Sequence, residues 1–373
     1  MFPANFYGIM SPVENITIMA CIPLKGPIMK DRTIHLLPKI PQHKANLHCH
    51  STLSDGCYTP TEIKKLYQAQ GYDVVAFTDH DYIFPHTDLT DEAFVALTGY
   101  EMQIMDDKGS LPRCKRDVVH LNFIAKDPDN RTLVYGDPGE HYDGDPAFSP
   151  DNIFTDSYGK KRILSPAGIN AIIEEAADCG FLVSFNHPTW SFSDRRHYCG
   201  LKGLTCMEIY NTCCEYDGHD TYCPTVYDEF LRGGQQLFCI ATDDNHNRSL
   251  GGLPKDADSF DGFTMLCLTD LNYQNVISAL VQGDLYASRG PLIHEISVTG
   301  NHVHLETSPA KKIMLSCGCR RDDSVRLGID VLLSSADFSL QGIEDYIRFT
   351  VTDAAGRSAN SRAYFPEEFL KLM

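Results

Sequence analysis

The sequence predicts an α/β protein in which seven strands close into a barrel and a small antiparallel β region follows. Seven apolar, strand-like runs alternate mostly with helical patterns or loops between residues 44 and 290, which is typical of a largely parallel sheet. Six of these runs carry His, Asp or Glu at or near the carboxyl end, where the strands of a barrel meet at one mouth. Beyond residue 290, short strands separated by turn sequences indicate hairpins.

Composition and charge narrow the class of protein. The chain has 373 residues, of which 43% are hydrophobic and 22% charged, as in an ordinary globular protein. Its 32 Lys and Arg against 50 Asp and Glu give a net charge of -18, so we expect no long nucleic acid as a partner. We also expect no membrane association and a cytoplasmic location, because no apolar run approaches about 20 residues and the start lacks a signal-peptide pattern. The sequence leaves the oligomeric state open.

The order of the patterns divides the chain into three parts. Residues 1–43 are predicted to be an N-terminal extension, residues 44–290 the barrel, and residues 291–373 a small β-rich domain. An insert at residues 126–162 is polar and carries seven Asp and one Glu. Because it is too long for an ordinary connection, we expect it to overhang the barrel mouth and limit access to short ligands.

The individual elements follow from local signals. A strand that ends at residues 48–50 precedes a helix, which is predicted to begin at Pro60 after Thr59 and to end near Gln70. A second helix is predicted from Pro166 to Cys179, with apolar residues at helical spacing. The remaining predicted helices lie around residues 227–231 and 272–280, and further strands are predicted at residues 73–77, 94–97, 118–124, 181–185, 206–210, 237–241 and 262–268.

The first of these strands carries a dense group of metal-binding side chains. His48 and His50 point to the same face, because successive side chains of a strand alternate, and Asp55 follows on a Ser-Asp-Gly turn that can fold back towards them. For an isolated His-x-His pair, solvent-facing histidines would be the simpler interpretation. The rest of the chain favours metal binding, since further donors follow at other strand ends. Together the nine candidate ligands are His48, His50, Asp55, His80, Glu101, His120, His187, Asp244 and His246.

Nine nitrogen and oxygen donors exceed what one ion can use. Imidazoles mixed with carboxylates suit Mn, Fe or Zn, so we expect two or three divalent transition-metal ions with one bridging carboxylate. Fourteen cysteines are scattered without paired spacing, which favours reduced thiols over a disulfide framework.

Four blocks of this sequence resemble, in order, the motifs of the PHP (polymerase and histidinol phosphatase) superfamily. They are His48-Cys49-His50 with Ser54-Asp55-Gly56, then Thr78-Asp79-His80, Asn186-His187-Pro188 and Asp244-Asn245-His246. Glu101 and His120 fall where that family places a bridging glutamate and another histidine. The resemblance covers about residues 44–290 and implies a distorted (β/α)7 barrel with a trinuclear site that hydrolyses phosphoesters.

The same resemblance implies how the ligands are shared. It implies one ion at His48, His50, Glu101 and Asp244, a second at Glu101, His120 and His187, and a third at Asp55, His80 and His246. The expected reaction is phosphoester hydrolysis through a metal-bridging hydroxide. The net charge of -18 and the acidic insert predict that the substrate is a small phosphorylated molecule.

Other side chains near the motifs are possible participants in the reaction. Asp55, His80 and His246 are predicted to be catalytic with Arg248, whose guanidinium suits phosphate. Arg195, Arg196 and Arg289 are weaker candidates for that contact, as is His197 for protonating a leaving group, and Glu208 is either a support for a ligand or a buried paired carboxylate. A ligand-binding protein without turnover and an amide hydrolase on a similar barrel are the alternative functions.

Overall fold

The computed structural model describes residues 32–106, 112, 115–136, 152–249 and 254–369. The first ten strands are β1 Thr33–Leu37, β2 Gln42–Asn46, β3 Val74–Phe77, β4 Val95–Met105, β5 Val118–Ala125, β6 Thr132–Leu133, β7 Ile153–Phe154, β8 Phe181–Phe185, β9 Cys206–Asn211 and β10 Phe238–Thr242. The remaining strands are β11 Phe263–Cys267, β12 Leu285–Ser288, β13 Ile293–Thr299, β14 His302–Ala310, β15 Lys312–Cys317, β16 Val325–Leu327, β17 Leu333–Ser339, β18 Ile347–Thr352 and β19 Ser358–Ser361. The helices are α1 Pro60–Ala69, α2 Pro166–Asp178, α3 Arg195–Tyr198, α4 Thr212–Tyr216, α5 Pro224–Arg232, α6 Tyr273–Gln282 and α7 Pro366–Phe369, with a 3-10 turn at Thr87–Leu89.

The predicted helix starts are confirmed. Thr59 caps α1, because its hydroxyl accepts a hydrogen bond from the Glu62 N–H while the Glu62 carboxylate accepts one from the Thr59 N–H at 2.8 Å. The Ser165 hydroxyl caps α2 in the same sense, and the apolar residues predicted at helical spacing in α2 are buried against the sheet. These helices therefore begin where side chains satisfy their unpaired N–H groups.

A large mixed sheet organises the chain. Among the described residues it has thirteen strands in the order β10-β9-β8-β5-β4-β3-β2-β11-β12-β19-β18-β15-β16. Strands β2, β3 and β4 pair in parallel, as do β8, β9 and β10, whereas β5 runs antiparallel to both β4 and β8. The α/β class is thus confirmed, but a closed (β/α)7 barrel is not, because the strand order is open and few helices separate the strands.

The first seven strands of this order run from β10 to β2, and the segments at their two ends approach each other. The His50 N–H donates to the Asn245 carbonyl at 3.1 Å, and the Asp244 N–H donates to the His48 carbonyl at 2.9 Å. The segments that follow β2 and β10 therefore lie side by side. This contact brings the first and last predicted motifs together. Every residue of β3 and β8 is buried, and all of them except Ser184 are apolar.

The C-terminal strands form the predicted hairpins. Strands β13 and β14 pair antiparallel across residues 300–301, and β18 pairs with β19. The second hairpin extends the large sheet, because β19 pairs with β12. Strand β1, which belongs to the predicted extension, pairs with β13 in a separate sheet of order β1-β13-β14-β17. Residues 1–31 of the extension and residues 137–151 of the insert lie outside the described residues.

The sequence predicts no apolar run long enough to span a membrane. Within the part of the chain that the structure describes, no helix has both the length and the apolar character needed to cross a bilayer.

Candidate metal centre

Glu101 lies at the centre of the candidate site, on β4. Its carboxylate oxygens lie 3.1 to 3.4 Å from ring nitrogens of five histidines, and its side chain is only 1% exposed. The five histidines are His48, His50, His80, His120 and His187. A further hydrogen bond comes from the Asn186 side-chain amide at 2.8 Å. A carboxylate surrounded in this way is the natural meeting point of several ligand groups.

The first group joins the segments that follow β2 and β10 to the middle of β4. His48 Nε2 lies 3.1 Å from Asp244 Oδ1, and His50 Nε2 lies 3.0 Å from the same oxygen. The two ring nitrogens are 3.1 Å apart, within hydrogen-bonding distance of each other and of the same Asp244 oxygen. With Glu101, these side chains place four donor atoms within the reach of one ion.

The second group lies on β5 and on the turn after β8. His120 Nδ1 is 3.1 Å and His187 Nε2 is 3.2 Å from Glu101 Oε1, so this oxygen serves both histidines. The His187 ring is oriented from its other side by Ser191, whose hydroxyl lies 3.1 Å from Nδ1. Three buried donors therefore converge on a second position.

The third group is more open. Asp55 Oδ1 lies 3.4 Å from His246 Nε2 and 3.7 Å from His80 Nε2. His50 Nδ1 is also 3.7 Å from this oxygen, so His50 borders both the first and the third group. The structure thus brings all nine candidate ligands together in three groups.

The donor set suits metal ions of the expected type. Its ligand atoms are imidazole nitrogens and carboxylate oxygens, almost all of them buried, and each group fits within 4.8 Å. Imidazole with carboxylate is the ligand combination of Zn, Mn and Fe sites. A fourth group, of Cys213, His246 and Asp258, borders the third group and shares His246 with it.

Electrostatics of the metal-free site follow from this crowding. Burial alone would raise the pKa of Glu101, but His120 and His48 outweigh burial and hold that pKa well below its usual range. Burial would lower the pKa of His50, but hydrogen bonds with Asp244 and Glu101 raise it to about 10. His80 differs, because burial and the neighbouring His50 lower its pKa well below the usual value.

Glu208 supports the site from behind and is absent from the predicted ligand list. Its Oε1 lies 2.7 Å from His48 Nδ1, while its Oε2 accepts a hydrogen bond from the His187 N–H at 2.8 Å. The Thr242 hydroxyl and the Asn211 amide occupy the remaining acceptor positions. Glu208 therefore orients one ligand of the first group and one of the second. Its position at a strand end was the only sequence signal for this contact.

A second carboxylate shapes the turn that carries Asp55. Asp79 accepts hydrogen bonds from the Ser51 N–H at 2.8 Å and from the hydroxyls of Ser51 and Ser54. The Ser-Asp-Gly turn is also tight at Gly56, where an added Cβ would lie 2.5 Å from the His50 carbonyl oxygen. These contacts direct Asp55 back towards the histidines, as the sequence predicts.

Only one of the candidate arginines lies at the site. Arg248 donates to the Asp55 carbonyl and, at 2.7 Å, to Asp55 Oδ2, with its side chain 45% exposed. Arg195 pairs with a glutamate of α5, and Arg289 pairs with Asp261 outside the ligand groups. Arg196 pairs with Asp194, and His197 lies in the capping box of α3, where its Nδ1 accepts from the Asp194 N–H.

The insert returns to the neighbourhood of the site at its carboxyl end. Arg162 Nη1 lies 2.6 Å from Oδ1 of Asp81, the residue that follows His80 in the chain. The same nitrogen donates to the Gln103 carbonyl at 2.8 Å. Whether residues 126–162 overhang the mouth stays a prediction, since residues 137–151 lie outside the described part of the chain.

A cavity opens onto the three groups. It measures about 180 Å³ and is lined by Asp55, His80, Glu101, His120, His187, Trp190, Cys213, Cys214, Asp217, Asp244, His246, Arg248 and Asp258. Its wall therefore contains members of every ligand group together with one arginine.

Comparisons with known proteins bear on this arrangement. No family model matches the chain. An alignment of 99 positions is 55% identical to a 5′-3′ exoribonuclease of Haemophilus influenzae. It covers 24% of this chain and 33% of that protein. The chain thus spans about a third of the length of the curated relative that it matches.

Solved structures give three further similarities. A two-domain protein from Bacteroides vulgatus, described as containing a predicted PHP-like metal-dependent phosphoesterase, is 16% identical, with a TM-score of 0.42 over 86% of this chain and 94% of that chain. A candidate metal-dependent phosphoesterase from Bifidobacterium adolescentis is 18% identical, with a TM-score of 0.37 over 65% and 98%. An amidohydrolase from Chromobacterium violaceum with bound sulfate is 17% identical, with a TM-score of 0.35 over 54% and 87%. Two of these three structures are described as metal-dependent phosphoesterases and the third as an amidohydrolase.

Proposed function

We propose that the protein is a metal-dependent phosphoesterase that hydrolyses a small phosphomonoester or phosphodiester. The observation that carries this proposal is the buried Glu101 carboxylate in contact with five imidazoles. Burying one carboxylate among five imidazoles costs free energy, and clusters of ionisable groups with displaced pKa values are typical of functional sites. Clustered divalent ions account for both the number and the type of these donors.

Two or three ions, of Mn, Fe or Zn, would be held by the three ligand groups. The first would take His48, His50, Glu101 and Asp244, the second Glu101, His120 and His187, and the third Asp55, His80 and His246. Such ions supply Lewis-acid polarisation of phosphoryl oxygens and make water more acidic. Glu101 would join the first position to the second, because its oxygens face both sets of histidines.

The chain itself would bind and orient the phosphoryl group. Arg248 is held by Asp55 at the mouth of the cavity, where its guanidinium suits a phosphoryl oxygen. Glu208 holds His48 and the backbone of His187 in place from the opposite side of the ligands. Asp55 therefore has two tasks, since it faces His80 and His246 through one oxygen and Arg248 through the other.

The substrate proposed is a small phosphorylated molecule. The net charge of -18 opposes the approach of a polyanion, and a cavity of about 180 Å³ is smaller than the 300 to 1,000 Å³ of typical ligand pockets. A second candidate is removal of nucleotides from an RNA end, which the partial match to a 5′-3′ exoribonuclease favours. Both reactions would use the same ligand groups, so the two candidates differ in the length of the substrate and in the ester bond that is cleaved.

The test compares substrates on protein loaded with Mn, Fe or Zn. We expect phosphate release from nucleoside monophosphates or sugar phosphates, little degradation of long RNA or DNA, and no cleavage of amide substrates. Cleavage of amides alone would assign an amide hydrolase, and binding of phosphate without turnover of any ester would assign a binding protein. Processive RNA cleavage, or polynucleotide binding with a steep salt dependence, would favour the exoribonuclease candidate.

A further inference from the structure

The turn that follows His187 carries two aromatic side chains that the proposed hydrolysis does not use. Residues 188–193 form a compact turn directly after His187, and the Ser191 N–H donates to the His187 carbonyl at 3.1 Å. The turn is thus attached directly to a member of the second ligand group. Trp190 lines the cavity, and Phe192 follows it on the same turn.

Both aromatic residues contact a second loop, which follows α4. The Trp190 Nε1–H donates to Asp217 Oδ2 at 3.3 Å, and the Phe192 ring lies 5.5 Å from the His219 ring at an angle of 80°. Trp190 also packs against His187, with ring centroids 5.0 Å apart. We call Trp190, Phe192 and His219 the aromatic rim: Trp190 lines the cavity, and Phe192 and His219 contact each other beside it, outside its lining. Two loops, one of them tied to a ligand group, build this rim.

Phe192 is the member whose placement the fold does not explain. Its side chain is 78% exposed, so it contributes little to the apolar core. Its φ of 50° lies in the left-handed region, which a bulky residue rarely adopts and which costs free energy. Strained residues of this kind concentrate at binding and catalytic sites. Since His219 stands nearly perpendicular to the exposed ring, a face of Phe192 remains open to a ligand.

The size of the cavity indicates what would use that face. About 180 Å³ accommodates a phosphoryl group, and the rest of a substrate must then lie across the mouth. Flat rings stack on aromatic side chains with little dependence on their exact identity. We propose that the aromatic rim binds a flat ring carried by the phosphoester, either a nucleobase or an aryl group. This inference rests on the proposed phosphoesterase function and adds the class of substrate.

The first test compares ring-bearing and ring-free esters. In Phe192→Ala, kcat/KM is expected to fall about tenfold for a nucleoside monophosphate and for an aryl phosphate, mostly through KM, and to stay unchanged for glycerol phosphate. Phe192→Trp should restore the preference. Ile329→Ala, which removes an 86% exposed apolar side chain from the β-rich region, is the matched control and should change nothing. If kcat/KM falls for the nucleotide alone, the rim is a nucleobase site. An equal fall in kcat/KM for all three esters, or no fall for any of them, overturns the proposal.

The second test measures ligand binding by fluorescence and does not depend on hydrolysis. Trp190 is the single tryptophan of the 373-residue chain, so its fluorescence reports directly on the rim. Adenosine and a nucleoside monophosphate should change this emission, with about tenfold weaker binding to Phe192→Ala, and glycerol phosphate should not. If no ester is hydrolysed, the proposed function fails while this titration still decides the ring site. Equal binding of adenosine to wild type and Phe192→Ala would refute the ring site alone.

Discussion

Two cavities of this protein differ both in volume and in whether their charged side chains are buried, and the larger cavity has the more exposed charges. The cavity at the candidate metal centre measures about 180 Å³, whereas a cavity between α3, α5 and residues 199–204 measures about 810 Å³. In the larger one, Arg195 pairs with Glu229 at 3.1 Å, with the arginine side chain 66% exposed. In the smaller one, Glu101 and its histidines are buried. Solvent stabilises the first set of charges, whereas the second set is shielded from solvent and depends on pairing with its neighbours or on a bound ion.

The comparison teaches that the larger cavity is not the one that concentrates buried ionisable groups. Charges at the surface keep their hydration and cost little, so the larger cavity needs no functional explanation. Burying the donors of the metal centre costs free energy, and their pKa values are displaced as a result. Variants and conditions that act on one cavity and not on the other are therefore the most direct tests.

The largest effect is expected from Glu101→Ala. Removing the shared carboxylate takes a ligand from two groups at once, so phosphoester hydrolysis should fall to about one thousandth or less, with folding near intact by circular dichroism. Glu229→Ala in the larger cavity is the matched control and should retain activity. Full activity in Glu101→Ala, or its loss in Glu229→Ala, would reverse the assignment of the two cavities.

Removal of metal should be the next largest effect. Gently purified protein is expected to contain two or three transition-metal ions per chain, and chelation should abolish hydrolysis and lower the free energy of unfolding by about 3 to 4 kcal/mol at saturating metal. Elemental analysis and thermal unfolding with and without Mn, Fe or Zn measure both quantities. A content of one ion or none would rule out the multinuclear site.

Glu208→Gln sharpens the comparison within the smaller cavity. The amide keeps the shape but removes the charge that faces His48 Nδ1, so metal affinity or activity should fall about 10- to 100-fold. Metal titration against a chelating indicator measures the affinity, and Glu208→Asp tests whether restoring the charge recovers part of it. Unchanged affinity in Glu208→Gln would show that the contact only fills space.

The smallest expected effect is a release of protons on metal binding. Asp244 and Glu101 outweigh burial and raise the pKa of His50 to about 10, and Asp55 with Cys213 outweighs burial and His50 and raises the pKa of His246 to about 10, so both are expected to be charged at pH 7.5. Metal binding needs neutral imidazole, hence affinity should rise with pH up to about 10. Titration calorimetry in two buffers of different ionisation enthalpy counts the protons.

The same raised values set the pH dependence of the metal-free fold. A histidine whose pKa is raised from 6.5 to about 10 stabilises the folded state fully below pH 6.5. That contribution is lost as the pH rises through 10, so unfolding of metal-free protein should become easier between these values. A stability that increases over this range would contradict the assignment of charged histidines.

The sequence by itself determined the α/β class, the helix caps and the list of nine donors. These features depend on local rules: side chains alternate along a strand, Thr59 with Glu62 caps a helix, and polar residues gather at strand ends. Even the division of the donors into three groups followed from the motif resemblance. The predicted roles of these residues as ligands stay proposals, which the variants above address.

Only the tertiary structure decided how distant segments meet. Glu208 lies 160 residues from His48 in the chain, and their contact depends on how β9 and β10 are placed beside the end of β2. The antiparallel direction of β5, the pairing of β1 with β13 and the contact between Phe192 and His219 have the same origin. Sheet pairing and loop packing are long-range, so no local pattern of residues specifies them.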